Sequence, residues 1–331
     1  MLPAKLITKA QNDERLTPDE ISFLLSVPST APITYQVMAA ARELANCLGM
    51  NRAEIHAQFA INLAPCPKNC LFCSFAVKNG IFKGSVKISP EAAVQAALTF
   101  EQHGANAIYL MATANFDLAE FCEYGREVRR NLRPETVLIA NVEDQDLSGA
   151  QLLKEAGFKG VYHALRLREG DDTTISPQDR RTSIRSFQEA GLIVGTCVEP
   201  IGPEHTNEEL ADLILFTAAH KPAFSGAARR IAIPGTKMAE RGMISEARMA
   251  QIVAVTRLAM PHAVKGNCTH EPCGIGAWAG ANLFWAESGA NPRDVQEQTE
   301  EGRGQSVASC RTIFQEADWG ILDGPSRFFQ R

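Results

Sequence analysis

The hydrophobic pattern of this chain changes period near residue 50. Before that point apolar positions recur every three to four residues, the spacing of a helix face. LTPDEISFLLS has Thr17 as a cap, Pro18 at the first helical position and Glu20 at the third, which is a capping-box start. YQVMAAARELANCLG continues as a second helix and is expected to bury Cys47. Beyond residue 50, short apolar β-prone runs alternate with helical stretches. The runs are HAQFAIN (56–62), AIYLMA (107–112), TVLIAN (136–141), GVYHALR (160–166), LIVGTCVE (192–199) and RRIAIP (229–234). HAVKGNC (262–268) and ANLFWAE (281–287) follow with a weaker pattern. Helical periodicity fills most of the gaps, from PEAAVQAALTFEQHG to SEARMAQIVAVTRLA.

Eight strands alternating with helices predict a parallel α/β architecture, and eight is the number that closes a (β/α)8 TIM-type barrel. A doubly wound open sheet shares the local pattern and is the alternative. No low-complexity linker breaks the alternation. The expected organisation is an N-terminal helical extension over 1–50, the barrel over 51–290, and a C-terminal loop and helix over 291–331 that close it.

Composition narrows the function. The 331 residues are 45% hydrophobic and 21% charged, enough for one large core. A formal charge of -5 gives no basic field for a nucleic-acid partner. There is no run of 18 apolar residues and no signal-peptide pattern over Met1–Pro28, so a soluble cytoplasmic protein without a membrane partner is expected. Nine cysteines, an odd number in a long chain, point to metal or redox use rather than a disulfide framework.

Three of those cysteines crowd LAPCPKNCLFCSF (63–75), as Cys66-x3-Cys70-x2-Cys73. Structural zinc takes paired knuckles with four ligands, and bacterial ferredoxins use a four-cysteine run. Three thiolates on one loop after a strand can hold three irons of a [4Fe–4S] cube and leave the fourth open to a small molecule.

This spacing, with Phe72 just before the last cysteine, resembles the motif of the radical S-adenosylmethionine (SAM) superfamily. From about residue 35 onward the chain is similar to the biotin-synthase-like branch. That branch includes biotin synthase, the iron-only hydrogenase maturase, methylornithine synthase and the two-protein lipoyl synthases. The resemblance implies a full barrel and a [4Fe–4S] cluster on Cys66, Cys70 and Cys73. It also implies bound S-adenosyl-L-methionine, cleaved to a 5′-deoxyadenosyl radical by one electron from a flavodoxin- or ferredoxin-type donor. Further roles are implied by position. Ala112 and Thr113, after the second strand, would face the methionine amino group, and Phe72 would flank the cofactor. Asn141 and Glu143 would face the ribose hydroxyls, and Pro234 the adenine. Glu169 and Arg180 would meet the methionine ammonium and carboxylate, an anion for a cation and a fork for a carboxylate.

Three late cysteines, Cys268 and Cys273 in NCTHEPC and Cys310 in VASCRTIF, could hold an auxiliary iron–sulfur cluster across the barrel mouth. A bridging sulfide there would trap a carbon radical. Core packing, or a small zinc site with His270, are the other readings. Cys47 and Cys122 read as packing, and Cys197 could point into the barrel. Asp144 and Asp146 read as loop and cap residues, and His205 as a residue bonded within its own loop or touching substrate.

The runs RLREGDDT, CVEPIGPEHT, CTHEP and FWAESGANPRD are most similar to the two-protein lipoyl synthases. That likeness implies sulfur insertion into an octanoyl chain on a lipoyl-domain carrier protein, alongside a paralogous radical SAM partner. Conventional biotin formation is disfavoured, because the second and third strands carry none of the cysteines that biotin synthase places there. Biotin-type insertion, or maturation of a cofactor without sulfur insertion, are the alternatives.

Overall fold

In a computed structural model, residues 2–330 are described. Among them, eight parallel strands run around one ring. They are β1 (Arg52–Ala60), β2 (Ala107–Met111), β3 (Val137–Asn141), β4 (Gly160–Tyr162), β5, β6 (Phe224–Arg229), β7 (Gly266–Cys268) and β8 (Leu283–Ser288). β5 comes in two pieces, Ile193–Gly195 and Val198–Ile201. The first piece pairs with β4 (Val161 opposite Val194) and the second with β6 (Val198 opposite Ala227). At the junction the Ala223 N–H donates to the Val194 carbonyl at 2.8 Å, and the Thr196 N–H to the Phe224 carbonyl at 3.3 Å. The ring therefore closes through a broken fifth strand. β1 lies opposite, with His56 in register with Ala107 of β2 and with Trp285 of β8. Closure removes the open doubly wound sheet, which would leave two edges.

The sixth strand departs from the expected 229–234. It runs Phe224–Arg229, and RIAIP (230–234) is the loop beyond it, turning at Ile233 and Thr236. FSGAAR hid from the hydrophobic pattern because small residues replace apolar ones where strands crowd. A Cβ on Gly226, whose φ is +147°, would come within 2.1 Å of the Cys268 carbonyl oxygen. Gly226→Ala is expected to cost about 1–3 kcal/mol, read as a lower urea midpoint with unchanged slope.

Three helices precede the barrel: α1 (Pro3–Gln11), α2 (Pro18–Ser26) and α3 (Pro32–Gly49). The capping box forms as read, with Glu20 N–H on Thr17 Oγ1 and Thr17 N–H on Glu20 Oε2. α2 packs on the helix Asn207–Ala219 and α3 on the helix Glu246–Ala259, which flank the barrel on one side. Cys47 is exposed, not buried. The buried stripe of α3 runs through Val37, Ala41, Leu44 and Ala45, and Cys47 falls on the other face. Cys122 is buried, on the helix Leu118–Asn131.

The C-terminal segment closes the opposite end of the ring. Gly320–Ile321 pairs with the start of β1, and Phe328 and Phe329 then enter the barrel interior beside Tyr109 and Phe224. Ser326 Oγ and the Arg327 N–H donate to the Glu54 carboxylate at 2.5 and 2.8 Å, and Glu54 also meets His56 Nε2 at 3.0 Å. With that floor filled, the interior opens only toward the C-terminal strand ends, where barrels carry their chemistry. No described helix is long and apolar enough to cross a membrane.

Candidate active site

The C-terminal rim opens on one cavity, and all three cysteines of the 63–75 run line it. The loop that carries them is clamped. At its base Asn62–Leu63 pairs with Val86–Lys87. The Cys66 N–H donates to the Phe75 carbonyl at 2.7 Å and the Val77 N–H to the Cys66 carbonyl at 3.1 Å. Asn79 Nδ2 donates to the carbonyls of Cys70 and Cys73 at 3.3 and 2.8 Å. Bonds to Asp172, Pro292 and Met238 tie the loop to segments beyond β4, β8 and β6. A loop this constrained holds its side chains in place without help from a ligand.

Among the described residues, thiol hydrogen bonds occur at Cys197, Cys268 and Cys310, and none involves the three loop sulfurs. Burial pushes the Cys70 thiol up to about 11 and Cys73 further still, and charge on the neighbouring loop cysteines would raise both again. Burial and the charge of their neighbours make Cys70 and Cys73 unfavourable as thiolates alone. A polycationic centre relieves this, because coordination releases the protons. The donor set therefore fits a [4Fe–4S] cluster with one iron left to a ligand.

The residues expected around the small-molecule ligand separate into two groups. Phe72, Ala112, Thr113, Asn141, Glu143 and Arg180 line the same cavity as the cysteines. Thr113 is fixed by Asn62, whose Nδ2 donates to Thr113 Oγ1 at 2.7 Å and whose Oδ1 accepts the Thr113 N–H at 3.0 Å. Asn141 Nδ2 donates to Gln58 Oε1 at 2.9 Å, and Glu143 pairs with Lys68 at 3.2 Å. Glu169 and Pro234 do not reach the cavity. The Glu169 carboxylate is buried behind Arg180, accepting from Arg180 Nε at 3.2 Å, Thr173 Oγ1 at 3.0 Å and the Arg166 N–H at 3.1 Å. It braces the arginine from behind and does not line the cavity. Pro234 sits exposed on the outside of its turn, and the cavity wall there is Ile231 and Ile233.

Asp144 is more than a loop residue. Its Oδ1 lies 3.2 Å from Arg180 Nη1 and 2.9 Å from His163 Nε2. Burial opposes its charge, yet His163 and Arg180 hold its carboxyl below the ordinary range. Asp146 does cap its helix, accepting from the Gly149 N–H. His205 Nδ1 accepts from the Gly202 N–H within its own loop.

His163 gives a pH prediction. Burial first, and then the Arg180 charge, lower its pKa to about 4. The unfolded imidazole takes a proton below about pH 6.5 while the folded one stays neutral to about 4, so stability rises with pH in that window. Acidification from 6.5 to 4 should remove up to about 3 kcal/mol through this residue. Urea titrations across that range should show a shallower pH dependence for His163→Gln than for wild type.

On the far wall, His270 stands where a rim loop was expected to put it, and its neighbours were not foreseen. Tyr162 Oη donates to Glu199 Oε2 at 2.8 Å and lies 3.1 Å from His270 Nε2. Arg166 Nε is 3.4 Å from Glu199 Oε1, and the His270 ring stacks on Trp285 at 4.5 Å. Arg293 pairs with Glu287 at 2.5 Å and leaves Nη1 buried without a protein partner. Tyr162 and Glu287 lie at or near the ends of their strands, Glu199 is in the second half of β5, and His270 follows β7. The strand-end rule applied to every polar residue would have found them.

The late cysteines do not assemble. Cys310 lies on the helix Val307–Glu316, outside the ring, with its Sγ on the Trp285 carbonyl at 3.4 Å. Cys273 precedes the short helix Gly274–Trp278 and does not line the cavity. Cys268 is buried inside the barrel, and its neighbour is Cys197, with the two sulfurs 3.5 Å apart. The set Cys268–Cys273–Cys310 is therefore not a ligand group, because β7, the loop beyond it and the outer helix direct the three side chains to different places.

A family model of the radical SAM superfamily matches residues 65–217. Curated relatives include biotin synthase of Bordetella avium (strain 197N), 25% identical over 221 residues that span 63% of this chain and 67% of that one. Biotin synthase of Ehrlichia canis (strain Jake) is 26% identical over 254 residues, 72% of this chain and 78% of the relative. Among solved structures, methylornithine synthase superposes with a TM-score of 0.81 at 16% identity over 98% of both chains. The [FeFe]-hydrogenase maturase HydG from Carboxydothermus hydrogenoformans does so at 0.76 and 19%, over 96% of this chain and 78% of its own. At such identities the structures show a shared fold. The matched segment, just under half of the chain, begins at the three-cysteine loop on the rim, so this part of the chain is similar to the radical SAM superfamily, and the curated relatives are biotin synthases of that likeness.

Proposed function

We propose that this radical SAM enzyme removes a hydrogen atom from an unactivated carbon and inserts sulfur there. The observation that carries the first half is one cavity that joins the Cys66–Cys70–Cys73 loop to the Tyr162–His270–Trp285 wall, so cofactor and substrate can share it. A [4Fe–4S] cluster with S-adenosylmethionine, which the superfamily implies, supplies a 5′-deoxyadenosyl radical when bound. The chain's own residues do the rest. Arg180, braced by Glu169 and Asp144, presents a guanidinium where a carboxylate can bind. Thr113 and Asn141, each locked by a partner amide, offer fixed polar groups. The ring and its aromatic wall keep out water and stray hydrogen donors.

The sulfur half rests on the biotin synthase relatives and on the runs similar to two-protein lipoyl synthases. In its specific form the substrate is an octanoyl chain on a lipoyl-domain carrier, a flavodoxin or ferredoxin is the electron donor, and the sulfur is a sulfide of an iron–sulfur cluster on a paralogous radical SAM partner, whose irons take up the electron released as the carbon radical forms the C–S bond. A second reading has support of its own. Rearrangement or assembly of a small charged molecule without sulfur insertion suits the unpartnered Arg293 Nη1 and the dispersed late cysteines.

The test is reconstituted, reduced protein given S-adenosylmethionine and a deuterated octanoyl-lipoyl domain. Deuterium in 5′-deoxyadenosine together with thiolated octanoyl product supports the proposal. 5′-Deoxyadenosine without thiolation leaves the second reading, and no 5′-deoxyadenosine overturns both.

A further inference from the structure

We propose that Cys197, Cys268 and His270 form a second metal site, which binds one thiophilic divalent ion such as zinc or ferrous iron in the barrel interior. Cys268 ends β7 and His270 follows two positions later, so the period of the strand directs both inward. Cys197 occupies the break in β5, on the next strand but one around the ring. The strand between them, β6, sets Gly226 opposite Cys268, a residue with no side chain to stand between the sulfurs.

Distance distinguishes this site from the alternatives. The sulfurs are 3.5 Å apart, too far for a disulfide of about 2.05 Å. Two sulfurs each about 2.3 Å from one tetrahedral ion lie about 3.8 Å from each other, close to what is seen. A ring nitrogen of His270 completes a set of three ligand atoms that all lie within 4.8 Å of one another. An iron–sulfur cluster spreads its terminal ligands over separate irons and needs room for bridging sulfides. Here both thiols are fully buried among aromatic side chains and do not line the cavity, so the space suits a single ion.

The surroundings suit it as well. His270 Nε2 meets Tyr162 Oη, and that hydroxyl donates to Glu199, so the imidazole has the hydrogen-bonded support that metal-bound histidines use. Two thiolates and a neutral imidazole around a divalent ion sum to zero charge, which lowers the penalty of burying them. Three protein ligands leave one coordination position for a water or a soft ligand such as a thiol. The site does not depend on which substrate reading holds.

The test is cobalt(II) titration of the full chain carrying Cys66→Ala, Cys70→Ala and Cys73→Ala, reduced and anaerobic. One equivalent should bind with tetrahedral visible bands and thiolate-to-cobalt charge transfer, and zinc should displace it. Adding Cys268→Ser should abolish those bands, while adding Cys310→Ser should leave them, with circular dichroism confirming that each variant is folded. If the triple variant does not fold, the same titration on wild type should saturate one equivalent higher than on Cys197→Ser. No saturable binding, or binding indifferent to Cys197 and Cys268, overturns the proposal. So does recovery of two or more irons with acid-labile sulfide at these residues, or a mass 2 Da low from a Cys197–Cys268 disulfide in the reduced protein.

Discussion

Cys70→Ala is expected to lower the iron content of the anaerobically reconstituted enzyme by about four atoms per chain and to stop 5′-deoxyadenosine formation. The loss should exceed about a thousandfold, because two thiols cannot hold a cluster that three site-specific sulfurs define. The fold should persist, since the loop is held by backbone bonds and by Asn79 rather than by the cysteine side chains. Iron assay, and chromatography of the product under strong reductant, check both halves. Cys310→Ala is the control: it packs in the outer core, and the variant should keep its iron and its product. If Cys70→Ala still forms 5′-deoxyadenosine, these cysteines are not the cluster ligands.

Arg180→Met is expected to destabilise the protein by about 3–5 kcal/mol. The side chain is almost wholly buried, and it bridges Glu169 and Asp144 from two different strand ends. Removing it leaves the Glu169 carboxylate, 1% exposed, without its counter-charge. Urea melts measure the loss. Adding Glu169→Gln should restore part of the stability, since the deepest carboxylate that Arg180 served is then neutral. It should not restore binding of S-adenosylmethionine, followed by calorimetry on the holoenzyme, if Arg180 presents its fork to the ligand carboxylate. Full recovery of binding in the double variant would reduce Arg180 to a structural brace.

The comparison of chain and structure divides by range. The Thr17 capping box, the helices after the first six strands and the spacing of Cys66, Cys70 and Cys73 are all written in a few consecutive residues, and all were legible. β6 was not, because FSGAAR is built for close strand approach, and that demand comes from Cys268 across the ring. Glu169 and Arg180 were both expected to contact the ligand, but which of the two faces the cavity depends on the depth of each side chain, which spacing does not encode.

The late cysteines mark the limit most clearly. Their spacing in the chain made Cys268 and Cys273 neighbours, yet Cys268 meets Cys197, 71 positions away. By itself the sequence determined the alternating strands and helices, their ring-forming number and the three-thiol loop. Each is set by local periodicity or by ligands on one short segment. Only the tertiary structure decided that Tyr162, Glu199, His270 and Arg293 share the cavity with that loop, and that Cys310 lies outside the ring. Ring closure through the broken β5 brings together residues from distant strands, and no local pattern records which side chains then meet.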